Sequence, residues 1–193
     1  MASQDDILAS ALEDKISENM EHENDQYQRF FPESRWNGLW KPEEVEATLR
    51  KCRTDPAPDL VKFILKRAPK IFAILVDMRQ PDLITRFQRQ DFGQEKLPIQ
   101  PASAKELLQE KRSISNFCDK QWWFIAPTFT KERFRYKFSK FHRLPFTATG
   151  KDRNPGASHY SKVREKSIHV DHVHLWPEQV GDYLLGAGLP RRR

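Results

Sequence analysis

The sequence predicts an α+β fold: a mostly helical domain followed by a short β-hairpin-like element, with a disordered N-terminus and C-terminal tail. Three observations predict it. Between residues 36 and 126, apolar residues recur at helical spacing in short runs divided by prolines. From residue 133 the period drops to two in Arg133-Phe134-Arg135-Tyr136-Lys137-Phe138. Both ends lack a sustained core pattern. At 193 residues the chain can bury a core without staples. With 38% apolar and 31% charged residues, part of it is expected to stay outside that core.

Taken in order, residues 1–35 read as an acidic tail carrying one short amphipathic helix. Ile7, Leu8, Ala11, Leu12 and Ile16 supply its apolar face, and residues 19–34 follow as linker. The helical domain, residues 36–126, starts at an apolar knot of Trp36, Leu39 and Trp40 around Gly38. Pro42 opens a helix with Glu43, Glu44 and Glu46 in its first turns, where the helix dipole favours anions. Val45, Leu49 and Cys52 share one of its faces. Asp55-Pro56-Ala57-Pro58 breaks the chain. Residues 59–67 and 70–79 form the strongest helical pair, separated or kinked by Pro69. Pro81 starts a short helix through Leu83, Ile84 and Phe87. Ser103-Ala104-Lys105-Glu106 reads as a capping box opening the next helix through Leu107 and Leu108. A β-element is expected over 127–174. Strict alternation there puts Phe134, Tyr136 and Phe138 on one strand face and the basic residues on the other. Ser161 to Val173 has weaker β character, and 175–193 reads as an irregular basic tail ending in three arginines.

Charge divides along the chain. Residues 1–60 hold 7 Lys and Arg against 14 Asp and Glu, whereas residues 61–193 hold 26 against 13. A basic region can meet phosphate-bearing ligands, although a solvated surface is the plainer explanation. No apolar run is long enough to span a bilayer, and the acidic start lacks the layout of a signal peptide. Cys52 and Cys118 stand far apart and read as reduced thiols, so an intracellular setting, cytoplasmic or nuclear, is expected.

Three constellations suggest chemistry. His169, His172 and His174 around Asp171 offer zinc-type donors, but on a strand His169 would point away from the other two and only His159 is at hand as a fourth. The Lys131–Arg143 segment mixes bases with rings, as single-strand nucleic-acid binders do. Alternation separates the two kinds onto opposite faces, which suits core packing better, so nucleic acid is not expected as a partner. Cys118 lies near Lys120, yet Phe117 and Trp122 beside it suggest a buried, inert thiol.

Beyond these, three patches carry a family resemblance. They are Lys70-Ile71-Phe72-Ala73-Ile74-Leu75-Val76, with Asp82-Leu83-Ile84 and Lys96-Leu97-Pro98-Ile99 after it; Phe117-Cys118 with Gln121-Trp122-Trp123-Phe124, Ala126-Pro127 and Phe129; and Leu144-Pro145-Phe146 with Tyr160-Ser161-Lys162-Val163, Ile168-His169 and His172. Together they resemble the helical N-terminal region of fungal protein-kinase-domain-containing proteins, running into the first strands of the kinase small lobe over residues 36–174. The resemblance implies a nucleotide-binding loop at Ser158-His159-Tyr160-Ser161-Lys162-Val163. Its site positions are Ser158, Ser161 and Val163. Serines stand where glycines would let the backbone approach phosphates, and only Val163 keeps the pattern. The lysine strand, the catalytic loop and the metal-binding Asp do not follow. Asp91-Phe92-Gly93 spells the metal-binding tripeptide but precedes the loop, and His142-Arg143-Leu144 has Leu where the catalytic Asp belongs.

The expected function is therefore that of a catalytically incompetent, truncated protein-kinase-like protein. It would act as an accessory module through the 59–87 helices and the Trp122–Trp123 region, with an unknown protein partner or by self-association and without a membrane. No cofactor is expected, ATP and magnesium entering only with a kinase lobe that this chain does not supply. Two alternatives follow from the same residues: the front part of an active Ser/Thr protein kinase, and, more weakly, a basic nucleic-acid-binding module.

Overall fold

Proline punctuation sets the helices. In the computed structural model, which describes residues 4–22, 29–133, 135–149 and 166–174, prolines occupy the first turns of four of them. These are α2 (Pro42–Lys51), α3 (Pro58–Arg67), α4 (Pro69–Asp77) and α6 (Pro101–Leu108). Proline fits there because its missing N–H is one that a helix start leaves unpaired. Ahead of them lies α1 (Gln4–Asn19), and α5 (Ile84–Arg89) and α7 (Lys111–Phe124) complete the set. Pro69 thus divides α3 from α4, and Pro81 opens a 3₁₀ turn, Pro81–Leu83, that runs into α5. Ser103 falls inside α6 instead of capping it. The helix begins three residues earlier because Pro101 already supplies the start.

The fold is α+β and mostly helical, with a small β-element. α4 is its axis: Ile71 to Val76 are all buried, so it is packed on every side. One continuous core runs from Leu12 and Ile16 of α1 through Leu49, Ile64, Phe72 and Phe87 to Phe117 and Phe124. The helix expected over 5–18 is α1, and it belongs to the domain, not to a tail ahead of it. It packs on α2, where the ammonium of Lys15 meets the buried carboxylate of Glu44. Nor does the boundary expected at residue 36 divide the core. Phe30 and Phe31, inside the expected linker, are fully buried. The Phe31 N–H donates to the Trp123 carbonyl at 2.7 Å and so satisfies one of the carbonyls that α7 leaves open at its end.

The strands are short. β1 (Glu21–His22) pairs antiparallel with β2 (Arg29–Phe30), β3 (Phe129–Thr130) pairs parallel with β6 (Val173–His174), and β4 (Phe146–Thr149) pairs antiparallel with β5 (Lys166–Ile168) as the hairpin-like element. The alternating segment after Arg133 is not a strand. Its described residues, Arg133 and Arg135–Phe138, pair with no neighbour. Tyr136 and Phe138 stack at 5.8 Å and close on Phe129 instead, forming a surface cluster in which rings replace ladder hydrogen bonds. Residues 150–165, with Ser158, Ser161 and Val163, and the tail 175–193 lie outside the described residues.

Candidate functional site

The aromatic stretch of α7 sorts its residues by helix face. Phe117, Gln121 and Phe124 point into the core, and Trp123 packs against it. Gln121 is the polar member of that face. It accepts from the Ile99 N–H at 2.8 Å, and its amide donates to the Ile99 and Cys118 carbonyls at 3.0 Å each. This clamp ties the segment before α6 to α7 and leaves no donor of the side chain idle.

Trp122 faces away from the core, into a cleft of about 950 Å³ between α6, α7 and the turn at residues 139–142. Ile99, Ile114 and Cys118 line it together with Trp122, Phe141 and His142. The indole of Trp122 lies 4.5 Å from the imidazole of His142. His142 is held by the turn itself: its Nδ1 accepts from the Ser139 N–H at 3.0 Å, which places the proton of the neutral ring on Nε2. Phe141 remains 47% exposed, a large ring left facing water. Lys105, Lys111 and Asp119 also line the cleft, and none of the three has an ionic partner among the described residues.

The cleft combines apolar rings with a single thiol. Its thiol, Cys118, has its pKa raised by burial and, less, by the Asp119 carboxylate, which keeps it protonated and a poor nucleophile at neutral pH. Cys52 is pushed up in the same way, by burial and then by Asp82. The volume is in the range of small-ligand pockets, and its apolar groups are accompanied by Lys105, Lys111 and Asp119.

Other residues singled out in the sequence are structural here. Asp91 turns the chain at φ +47° and pairs with Arg67, while Phe92 packs edge-on against Phe87 at 5.8 Å. His172 is 1% exposed, its Nδ1 lies 3.2 Å from the Pro127 carbonyl, and Phe30 meets its ring edge at 5.5 Å. Asp171 accepts from both the N–H and the hydroxyl of Ser34, and its pKa is lowered by those bonds against the opposing effect of desolvation. His174 is exposed at the end of β6. Among the described residues no group of three His, Cys, Asp or Glu is arranged to hold a metal. The 59–87 helices, expected to face a partner, are chiefly core: α4 is covered throughout, and α3 and α5 bury Ile64, Ile84 and Phe87. Sequence reading missed His142 as the ring partner of Trp122 and Phe141 as a further residue of the same cleft. The available signal was Phe141 itself, an aromatic residue in a polar, breaker-free stretch with no periodic place in a core.

Fold and site define a mostly helical α+β domain with an aromatic cleft open to solvent and, among the described residues, no helix long and apolar enough to cross a membrane. Compared with known proteins, the chain matches no family model, no curated protein and no solved structure.

Proposed function

We propose that this chain is a non-catalytic, protein-kinase-like interaction module whose docking surface is the α6–α7 cleft. The observation that carries the reading is the placement of Trp122, Phe141 and His142 around an open cleft whose one thiol is held protonated. Aromatic side chains in a concave, partly dry surface are the usual anchors of protein recognition, since each contributes a large apolar area with little rotamer entropy. The kinase-like part of the proposal rests on the three sequence patches and on the absence from the sequence of a lysine strand and a catalytic loop. The partner is another protein or a second copy of the chain.

Two assays test it together. The purified chain is expected to release no phosphate from Mg·ATP, and turnover would favour an active kinase instead. In cross-linking of cell extracts, Phe141→Asp is expected to remove the main adduct formed by the wild-type chain without moving the melting temperature, since Phe141 is half exposed. An unchanged adduct would place docking elsewhere.

A further inference from the structure

On a strand, Arg133, Arg135 and Lys137 would face away from Tyr136 and Phe138, and a base would have no ring beside the cation that holds its phosphate. The chain makes no strand there. The described residues of 131–143 belong to neither helix nor strand, and Arg133, Arg135, Lys137, Phe138, Lys140 and Phe141 are all exposed. Cations and rings meet instead of separating. The Arg133 guanidinium lies 4.7 Å from the centre of the Tyr136 ring, and the Lys140 ammonium 5.2 Å from that of Phe141. We infer that the Lys131–Arg143 segment is a binding surface for single-stranded nucleic acid, on which Phe138 stacks a base and Arg133, Arg135, Lys137 and Lys140 hold phosphates. The inference goes beyond the docking reading of the α6–α7 cleft and does not depend on it.

Charge and ring placement select this partner. From Lys131 to Arg143 the sequence holds six bases and one acid, Glu132, which suits a polyanion whose phosphates recur along a strand. An acidic protein would answer the charge alone. Exposed rings need flat partners as well, and every base has a π-face. The rings are already oriented. The Tyr136 hydroxyl accepts from the Thr130 N–H at 2.7 Å, and the Tyr136 and Phe138 rings lie within 11° of parallel at 5.8 Å. Phe129 and His142 pack against Phe138 at 6.0 and 5.5 Å. Phe138 still keeps 38% of its surface in water, so a base would meet a ring that has little rotamer freedom left to lose. A duplex fits less well. Its bases are stacked on one another already, and its major groove admits a helix or a two-stranded ribbon, neither of which this segment supplies among the described residues.

Fluorescence anisotropy of a labelled oligothymidylate of about 16 nucleotides, titrated with the full chain, tests the inference. Affinity is expected to fall with salt at a log–log slope of about −3, from about −0.7 for each of four phosphates held. Arg133→Gln, Arg135→Gln and Lys137→Gln combined should weaken binding and bring the slope to about −0.7. Phe138→Ala should weaken binding about tenfold and leave the slope unchanged, since stacking carries no charge. Phe138→Leu should weaken it as much, because Leu keeps apolar bulk but has no ring face, and Phe138→Tyr should bind like the wild type. Rescue by Leu would overturn the inference, since packing of the cluster and not stacking would then explain the loss in Phe138→Ala. A wild-type slope in the triple variant would overturn it too, as would equal affinity for the duplex of the same sequence. Full competition by polyglutamate at matched charge would overturn it in favour of an acidic protein partner. Absence of binding at low salt would end it outright.

Discussion

The helical body and the segment after residue 126 use aromatic rings in opposite ways. In the body, Phe72, Phe87, Phe117 and Phe124 are at most 1% exposed and are held by contacts on all sides. Beyond it, Phe138 and Phe141 are 38% and 47% exposed; Phe138 is held by three surface rings, Phe129, Tyr136 and His142, and Phe141 meets the Lys140 ammonium at 5.2 Å. The first arrangement stabilises the fold through area removed from water. The second contributes little to folding and leaves rings free to meet something else.

The largest expected effect tests that difference directly. Phe72 lies at the centre of α4, edge-on to Trp40 at 5.8 Å, and Phe72→Ala should cost about 3–5 kcal/mol through lost burial and a cavity that a packed core cannot close. Phe138→Ala, by contrast, should cost less than about 1 kcal/mol because most of its partners are surface rings. Urea denaturation of the two variants measures both. Similar losses would mean that the ring cluster at residues 129–142 is an extension of the core.

The next effect sharpens the comparison by using a polar residue. Gln121 is 1% exposed and satisfies both the N–H and the carbonyl of Ile99. Gln121→Leu keeps the volume but strands the buried Ile99 N–H and leaves the Ile99 carbonyl only the weak Cys118 thiol donor, which should cost about 1–3 kcal/mol by urea denaturation. Hydrogen exchange should quicken first at Ile99, whose N–H loses its acceptor. A neutral result would show that water reaches Ile99 from the cleft.

What the sequence revealed follows the same division. Helical spacing and proline placement made α2 to α5 readable, since a 3.6-residue period repeats over several turns and each proline fixes a boundary. α7 was not placed from the sequence: the Trp122–Trp123 pair marks concentrated apolar area there, but area alone does not give a helix its bounds. The joining of α1 to the core was not legible, because Phe30 and Phe31 stand alone between polar runs and no local pattern tells a buried pair from an exposed one. Alternation in Arg133 to Phe138 misled for a physical reason. A period of two orients side chains for a strand, but a strand also needs a neighbour to take its hydrogen bonds, and neighbours are long-range. The cleft was hidden similarly, since it joins Ile99, Cys118 and Phe141 across three segments.

The smallest expected effect concerns pH and bears on how the outer segment is held to the body. His172 ends the 3₁₀ turn Val170–His172 and packs against Phe30, with its Nδ1 on the Pro127 carbonyl and its Nε2 buried without a partner among the described residues. In that geometry Nδ1 carries the proton of the neutral ring, and Nε2 is a bare acceptor. Protonation would place a charge and an N–H where nothing receives them. Burial accordingly lowers its pKa below the ordinary 6.5, with His169 adding to the effect and the Pro127 carbonyl, Glu33 and Asp171 opposing it. Because the folded state prefers the neutral ring, the contribution is complete above pH 6.5 and is lost as pH falls from there through the lowered value. His172→Gln removes this titration. Across about pH 5 to 8, the urea midpoint of the wild type should therefore fall toward acid more than that of the variant. Asp171 does not confuse the reading, since its lowered pKa confines its own loss of stability to the region below 3.8. Parallel pH curves for the two proteins would mean that His172 releases its proton to water as freely as a surface imidazole, and that its neutral ring does not help hold the outer segment, which keeps its other ties such as the Ser34–Asp171 bonds and the Trp122–His142 contact.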